Sequence, residues 1–156
     1  MPDMLVKLYG LPQLFLYCEG LERDGIEIRR ALVPEKSIIV KWVRESFFSA
    51  WADECEMTFS NKPVSCHIAL RQRELVGFAC YDAVCRNFFG PSGVATTCRR
   101  SGIGKGLLLS CLHSMKEKGY AYAIIGGVGP AEFYQKSVGA VLIEGSDPGI
   151  YGGMLK

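Results

Sequence analysis

The alternation of apolar and polar positions changes period several times along the chain, and each change marks an element. "IEIRRAL", residues 26–32, alternates with a period of two and reads as the first strand. Residues 34–59 place Ile38, Ile39, Trp42, Val43, Ser46 and Phe47 at helical spacing, so one or two helices follow. "SCHIALRQRELVGFACYDA" (65–83) holds two apolar runs around the polar "RQRE", a hairpin signal. A further strand is expected in "NFFGPSGVAT" (87–96), where Gly90, Pro91 and Gly93 imply a bulge or a strand end. From Ile103, the positions Leu107, Leu108, Cys111, Leu112 and Met115 line one face of a 3.6-residue period, and Gly119 stands where a helix would stop. A buried strand in "YAYAIIGGVG" (120–129), a short helix in "PAEFYQKSV" (130–138) and a last strand in "AVLIEG" complete the series. Residues 1–25 are apolar but broken by Gly10, Pro12 and Gly20, and read as an extension packed on the domain. No repeat or linker interrupts this order, so residues 1–156 are expected to form one α/β domain around a single sheet.

Composition changes this picture little. At 49% apolar and 22% charged residues the chain can fill a core, and a net charge of +2 gives no reason to expect nucleic acid or an acidic membrane as partner. The basic residues of "CRR" and "IRR" are scattered rather than clustered, which weakens a nucleic-acid reading further. No basic leader with a signal-type apolar core opens the chain, and no apolar run reaches spanning length, so a soluble, cytoplasmic protein is expected. The seven cysteines are irregularly spaced without a C-x-x-C pair, and only His67 and His113 could join them. That pattern argues against a zinc site and for small buried hydrophobes in a reducing compartment, so no metal is expected.

The chemistry concentrates in "CRRSGIGKGLLLSCLHSMKEKG", residues 98–119. A helix N-terminus leaves backbone N–H groups free and partly positive, which attracts anions. Gly102 and Gly104 would let a phosphate approach them, with Arg99, Arg100 and Lys105 adding charge; a plain strand-to-helix turn with solvated cations explains the same residues about equally well. The P-loop pattern fails, because Arg99 stands where its first glycine belongs and Gly106 follows the lysine. The dinucleotide pattern G-x-G-x-x-G fits Gly102 and Gly104 and then meets Leu107.

"VATTCRRSGIGKGLL" instead closely resembles the acyl-coenzyme A signature [RQ]-x-x-G-x-[GA] of the GNAT superfamily of N-acetyltransferases, read here as Arg99-Arg100-Ser101-Gly102-Ile103-Gly104. The hairpin and bulged strand before it, and the strand, short helix and "FY" after it, follow the family order over residues 26–156. The resemblance implies a mixed, mostly antiparallel sheet with helices on both faces and splayed central strands. It implies acetyl-coenzyme A as co-substrate, its pyrophosphate on the N–H groups of Arg100, Ser101, Gly102, Ile103, Gly104 and Lys105, with Arg99 at the start. The pantetheine arm would pair with the strand around Val94 to Thr96. A homodimer is an open expectation, since the family often dimerises.

Acetyl transfer to an amine needs a neutral amine, donors for the oxyanion and an acid for the leaving thiolate. By family position Tyr134 is the expected acid, the plainer alternative being that it packs beside Phe133. Glu54 is the candidate base; Glu56, Asp82 or a water chain could serve instead, and His67 reads as a satisfied strand residue. A backbone N–H near Val94 would meet the oxyanion. The family's frequent asparagine seven residues before the tyrosine is Gly127 here, and "FYQKSVGA" carries one residue more than the usual ending. Trp42, Phe47, Phe48 and Trp51 are candidate acceptor aromatics, and Asp147 and Tyr151 in the Gly/Pro-rich close could border the same pocket. The expected function is an N-acetyltransferase for a small-molecule primary amine, the alternative a non-catalytic acyl-coenzyme A binder or sensor.

Overall fold

The computed structural model describes all of residues 1–156. Seven strands form one sheet: β1 (Met4–Lys7), β2 (Ile26–Arg30), β3 (Cys66–Arg71), β4 (Glu74–Tyr81), β5 (Phe88–Val94), β6 (Tyr122–Ile125) and β7 (Val141–Leu142). Five helices accompany it: α1 (Leu14–Arg23), α2 (Lys36–Ser46), α3 (Ser49–Met57), α4 (Ile103–Lys118) and α5 (Ala131–Val138). The order across the sheet is β2-β3-β4-β5-β6-β1-β7, and only β5 and β6 run parallel. A mixed, mostly antiparallel sheet with helices on both faces is therefore what forms, as the resemblance implied. No helix is long and apolar enough to cross a membrane.

Local chemistry accounts for most of these elements. Gln72 and Arg73 adopt φ of 50° and 66°, the paired left-handed residues of a two-residue hairpin between β3 and β4. α4 buries Ile103, Leu107, Leu108, Cys111, Leu112 and Met115, and Gly119 (φ 111°) ends it by donating its N–H to the Met115 and Lys116 carbonyls. The β4–β5 register slips between Ala79 and Tyr81, where the bulge at Gly90 and Pro91 was expected. Two apolar clusters then divide the molecule. One lies between the sheet and α1, α4 and α5; the other holds Ile39, Val40, Val43, Ala52 and Cys55 of α2 and α3 against Cys66, Ile68, Phe78 and Cys80.

The N-terminal segment departs from expectation. "IEIRRAL" supplies the second strand, not the first, because Met4–Lys7 inserts between β6 and β7, pairing Met4 with Ile125 on one side and with Leu142 on the other. Met4 and Val6 point into the core with no exposed surface. A four-residue strand shows only two alternations, too few to stand out in an apolar segment broken by Gly10 and Pro12. The later strands are shorter than expected: β6 pairs only over Tyr122–Ile125, and "AVLIEG" contributes two paired residues.

What parts the sheet at its centre is a contest for the end of β6. The parallel pair has two rungs, Phe88 with Ile124 and Phe89 with Ile125. Beyond them β5 runs on to Val94 along β4, but β6 is drawn the other way: the Gly127 N–H donates to Asp3 Oδ1 (2.9 Å) and the Val128 N–H to the Pro2 carbonyl (2.9 Å). The splayed central strands are thus present.

A buried polar group lies under α4. His67 is 8% exposed; its Nε2 pairs with Ser114 Oγ (3.0 Å) and its Nδ1 has no partner, so it is only half satisfied. Burial, with the Arg30 charge beside it, holds the imidazole neutral and pushes its pKa from an ordinary 6.5 down to about 3. The unfolded chain therefore binds the proton more tightly between about pH 6.5 and pH 3. Stability is full above that window and falls as pH drops through it, by at most about 1.4 kcal/mol per unit. Urea titrations from pH 7 to pH 4 should show this slope in the wild type and a shallower one in His67→Gln. Met4→Ala should cost about 2–5 kcal/mol in the same assay at pH 7, the range for a fully buried large side chain; a change within error would mean that β1 is not integral to the sheet.

Candidate active site

The chain leaves β5 through a 3₁₀ turn at Thr96–Cys98 and reaches α4 through two left-handed residues, Arg100 (φ 65°) and Gly102 (φ 85°). Thr96 therefore sits past the strand end, exposed on the turn, and Val94 is the last strand residue. Ser101 donates its hydroxyl to the Cys98 carbonyl, which tightens the turn and leaves its side chain engaged. Tyr17 of α1 donates to the Gly102 carbonyl (2.8 Å), fixing the loop from below. No side chain caps α4, so the N–H groups of its first turn face outward without a partner from the loop. Arg99 and Arg100 are exposed, Lys105 lies over the Tyr17 ring (5.3 Å), and none of the three joins an ion pair. Ile103 is fully buried and can offer a ligand only its backbone.

Gly104 floors the gap between strand and α5. A Cβ there would sit 3.8 Å from both Val94 Cγ2 and Phe133 Cζ, so the missing side chain is what keeps this passage open. Along the passage the edge of β5 that faces away from β4 has lost β6 as partner, and its backbone groups stand ready for another. This donor set fits coenzyme A: bare N–H groups and free cations for a pyrophosphate, then a bare strand edge for an amide-bearing arm.

Tyr134 stands on the same face of the sheet, packed edge-on to Phe89 (6.3 Å between ring centres) and Phe133 (5.0 Å). Burial pushes its phenol up and the neighbouring Ser92 hydroxyl pulls partly back, so it keeps its proton at neutral pH. Glu54 belongs to the opposite face, on α3. Burial raises its carboxyl above the usual range, with Asp53 adding to the shift. Beside it stands Tyr151, whose phenol is raised by burial and then by the charges of Glu54 and Asp3. Its hydroxyl lies 3.5 Å from where a Gly126 Cβ would be, directly after the last β6 rung. The sheet's opening is therefore flanked by a phenol on one face and by carboxylates with a second phenol on the other. Asp147 pairs with the N-terminal amine at the surface (2.6 Å).

The other carboxylates considered are committed. Glu56 pairs with Lys36 at the surface (3.5 Å), and Asp82 accepts from the Asn87 N–H (2.8 Å), Lys118 and Tyr120. Trp42, Phe47 and Trp51 ring Phe78 at 5.7–6.4 Å, with Phe47 wedged over Gly93 and Phe48, 62% exposed, against Trp51 at 5.1 Å. Asp3, Tyr17 and Ser92 were not legible beforehand. Asp3 is only 8% exposed; its carboxylate accepts from the Gly127 N–H, its backbone N–H donates to Ser146 Oγ (2.7 Å), and its carbonyl accepts from the Ile143 N–H (2.9 Å). Nothing in its local sequence separates it from any N-terminal aspartate.

The fold is an α/β one whose central parallel pair opens toward an uncapped, cation-flanked helix. The chain belongs to the acetyltransferase (GNAT) family, whose family model matches residues 36–140. Among solved structures it is similar to a GCN5-related glucosamine N-acetyltransferase region of a fungal multi-domain GH3 beta-N-acetylglucosaminidase (TM-score 0.71, 15% identity, 91% of this chain and 19% of that one). A GCN5-related N-acetyltransferase from Sphaerobacter thermophilus is similar at TM-score 0.70 and 18% identity, over 91% of this chain and 48% of that one. An aminoglycoside acetyltransferase from an uncultured soil metagenomic sample, in complex with trehalose, gives TM-score 0.56 and 15% identity over 73% and 88%. The chain thus spans about a fifth and about half of the first two, and at these identities the likeness is one of fold. No curated protein matches the chain in sequence.

Gly102→Ala should lower stability by about 1–2 kcal/mol, the cost of a side chain in the left-handed region. Its Cβ would also meet Tyr17 Oη at 2.7 Å. Tyr17→Phe should cost about 0.5–1.5 kcal/mol through the lost hydrogen bond alone. Thermal unfolding of both variants checks these values, and a Tyr17→Phe loss larger than that of Gly102→Ala would contradict them.

Proposed function

We propose that the chain is an N-acetyltransferase that uses acetyl-coenzyme A to acetylate a primary amine of a small-molecule acceptor. The observation that carries this reading is the bare N-terminus of α4 at the end of an unpartnered β5 edge. Acetyl-coenzyme A supplies an activated thioester. The chain's own residues do the rest. The N–H groups from Arg100 to Lys105, with Arg99, Arg100 and Lys105 as counter-charges, bind the pyrophosphate. The β5 edge ending at Val94 orients the arm, and a backbone N–H near Val94 faces the oxygen where negative charge develops. Thr96, past the strand end, is assigned to the outer part of the same arm.

On the acceptor face Glu54, its pKa raised by burial, takes the proton that the amine must lose. On the cofactor face Tyr134 gives a proton to the departing thiolate, whose basicity lies close to that of a phenol. The acceptor approaches between Phe48, Trp51 and Tyr151. Two departures favour a second reading, a binder without turnover: the Gly127 N–H is already held by Asp3, and no asparagine stands there.

Tyr134→Phe separates the two. Turnover, followed by thiol release with acetyl-coenzyme A and a panel of amines, should fall about 10²–10⁴-fold, with cofactor affinity by calorimetry unchanged. Unchanged turnover would remove the acid assignment. Binding without thiol release from any amine in the wild type would favour the binder, and no binding heat would remove both readings.

A further inference from the structure

Three of the seven cysteines, far apart in the 156-residue sequence, converge in one place. Cys55 of α3, Cys66 of β3 and Cys80 of β4 bring their sulfurs within 4.8 Å of one another, and each is 0% exposed. Cys66 and Cys80 face each other across the hairpin, and Cys55 descends on them from the helix above. No histidine or carboxylate joins the group, and every residue of the surrounding cluster, Ile39, Val43, Ile68 and Phe78 among them, is uncharged. All seven thiols are free, so no disulfide consumes the triad.

Charge and coordination number decide what such a site accepts. Three thiolates carry three negative charges. A monovalent ion leaves two of them uncompensated and a divalent ion leaves one, at a cost of several kcal/mol per buried charge. Zinc also takes four ligands, and no fourth donor is present. A trivalent centre that forms three bonds leaves no charge and no empty position. A central atom with bonds of about 2.3 Å to sulfur holds three sulfurs roughly 3.5–4.0 Å apart, so the triad closes by at most about 1.3 Å.

We infer that Cys55, Cys66 and Cys80 form a binding site for trivalent arsenic, independent of the acetyl-transfer site. Arsenous acid enters as a small uncharged trihydroxide when α3 lifts. Three As–O bonds break and three As–S bonds form; each thiol proton leaves with a hydroxide as water, three waters in all. No electrons change hands, and the product is neutral, as the apolar surroundings require.

The test uses the whole chain, kept reduced with a phosphine and incubated with arsenite until uptake is constant. One arsenic per chain is expected by intact mass, displacing three protons, and X-ray absorption at the arsenic edge should show three sulfurs and no oxygen. Cys55→Ala, Cys66→Ser and Cys80→Ser should each lose this product, and Cys18→Ser with Cys85→Ser should keep it. The absorption count on the unaltered chain decides the matter even where a core variant fails to fold. No uptake, a count of two sulfurs, uptake that survives Cys55→Ala, or zinc retained as firmly as arsenic would each overturn the assignment. None of these readouts depends on acetyl transfer.

Discussion

Two rungs of backbone pairing between β5 and β6 stop at Phe89 and Ile125, and the candidate active site exists because they stop. Had the strands stayed together to Val94, their edge groups would have satisfied each other and no amide-bearing ligand could enter. The force that ends the pairing is local and nameable. Pro2 and Asp3 accept the N–H groups of Val128 and Gly127, and β1 holds β6 from its far side. The first residues of the chain thereby keep its centre open, although they lie about a hundred positions from the glycine-rich loop.

Parting the sheet also separates two kinds of chemistry. Tyr134, Ser92 and the α4 N-terminus share the face packed by α1, α4 and α5. Glu54, Tyr151 and the aromatic rings of α2 and α3 share the other. Burial lifts both the Tyr134 phenol and the Glu54 carboxyl, keeping the first a proton donor and making the second a better acceptor near neutrality. Because they lie on opposite faces of the sheet, the two groups do not hydrogen-bond to each other.

Much of this was readable from residue order because it rests on short-range rules. The left-handed Gly102 and Gly119, the hairpin at Gln72 and Arg73, and the apolar face from Ile103 to Met115 are each decided within one or two turns of chain. The signature from Arg99 to Gly104 was legible for the same reason. Tyr17 was not, because it reaches Gly102 from 85 positions away, and neither was Asp3 with its hold on Gly127 from 124. The cysteines show the limit clearly: their spacing carries no ligand pattern, and only the stacking of α3 on the β3–β4 hairpin brings three sulfurs together.

Sequence by itself determined most of the elements, the family and the glycine-rich, cationic opening of α4 at residues 99–105, since periodicity, glycine conformation and helix-end polarity are local properties of the backbone. Tertiary structure alone decided that β1 enters the sheet, that β6 abandons β5, and which carboxylates stay free of partners. Those outcomes depend on hydrogen bonds competing between distant segments, and such a competition is settled only when all of the segments are packed at once.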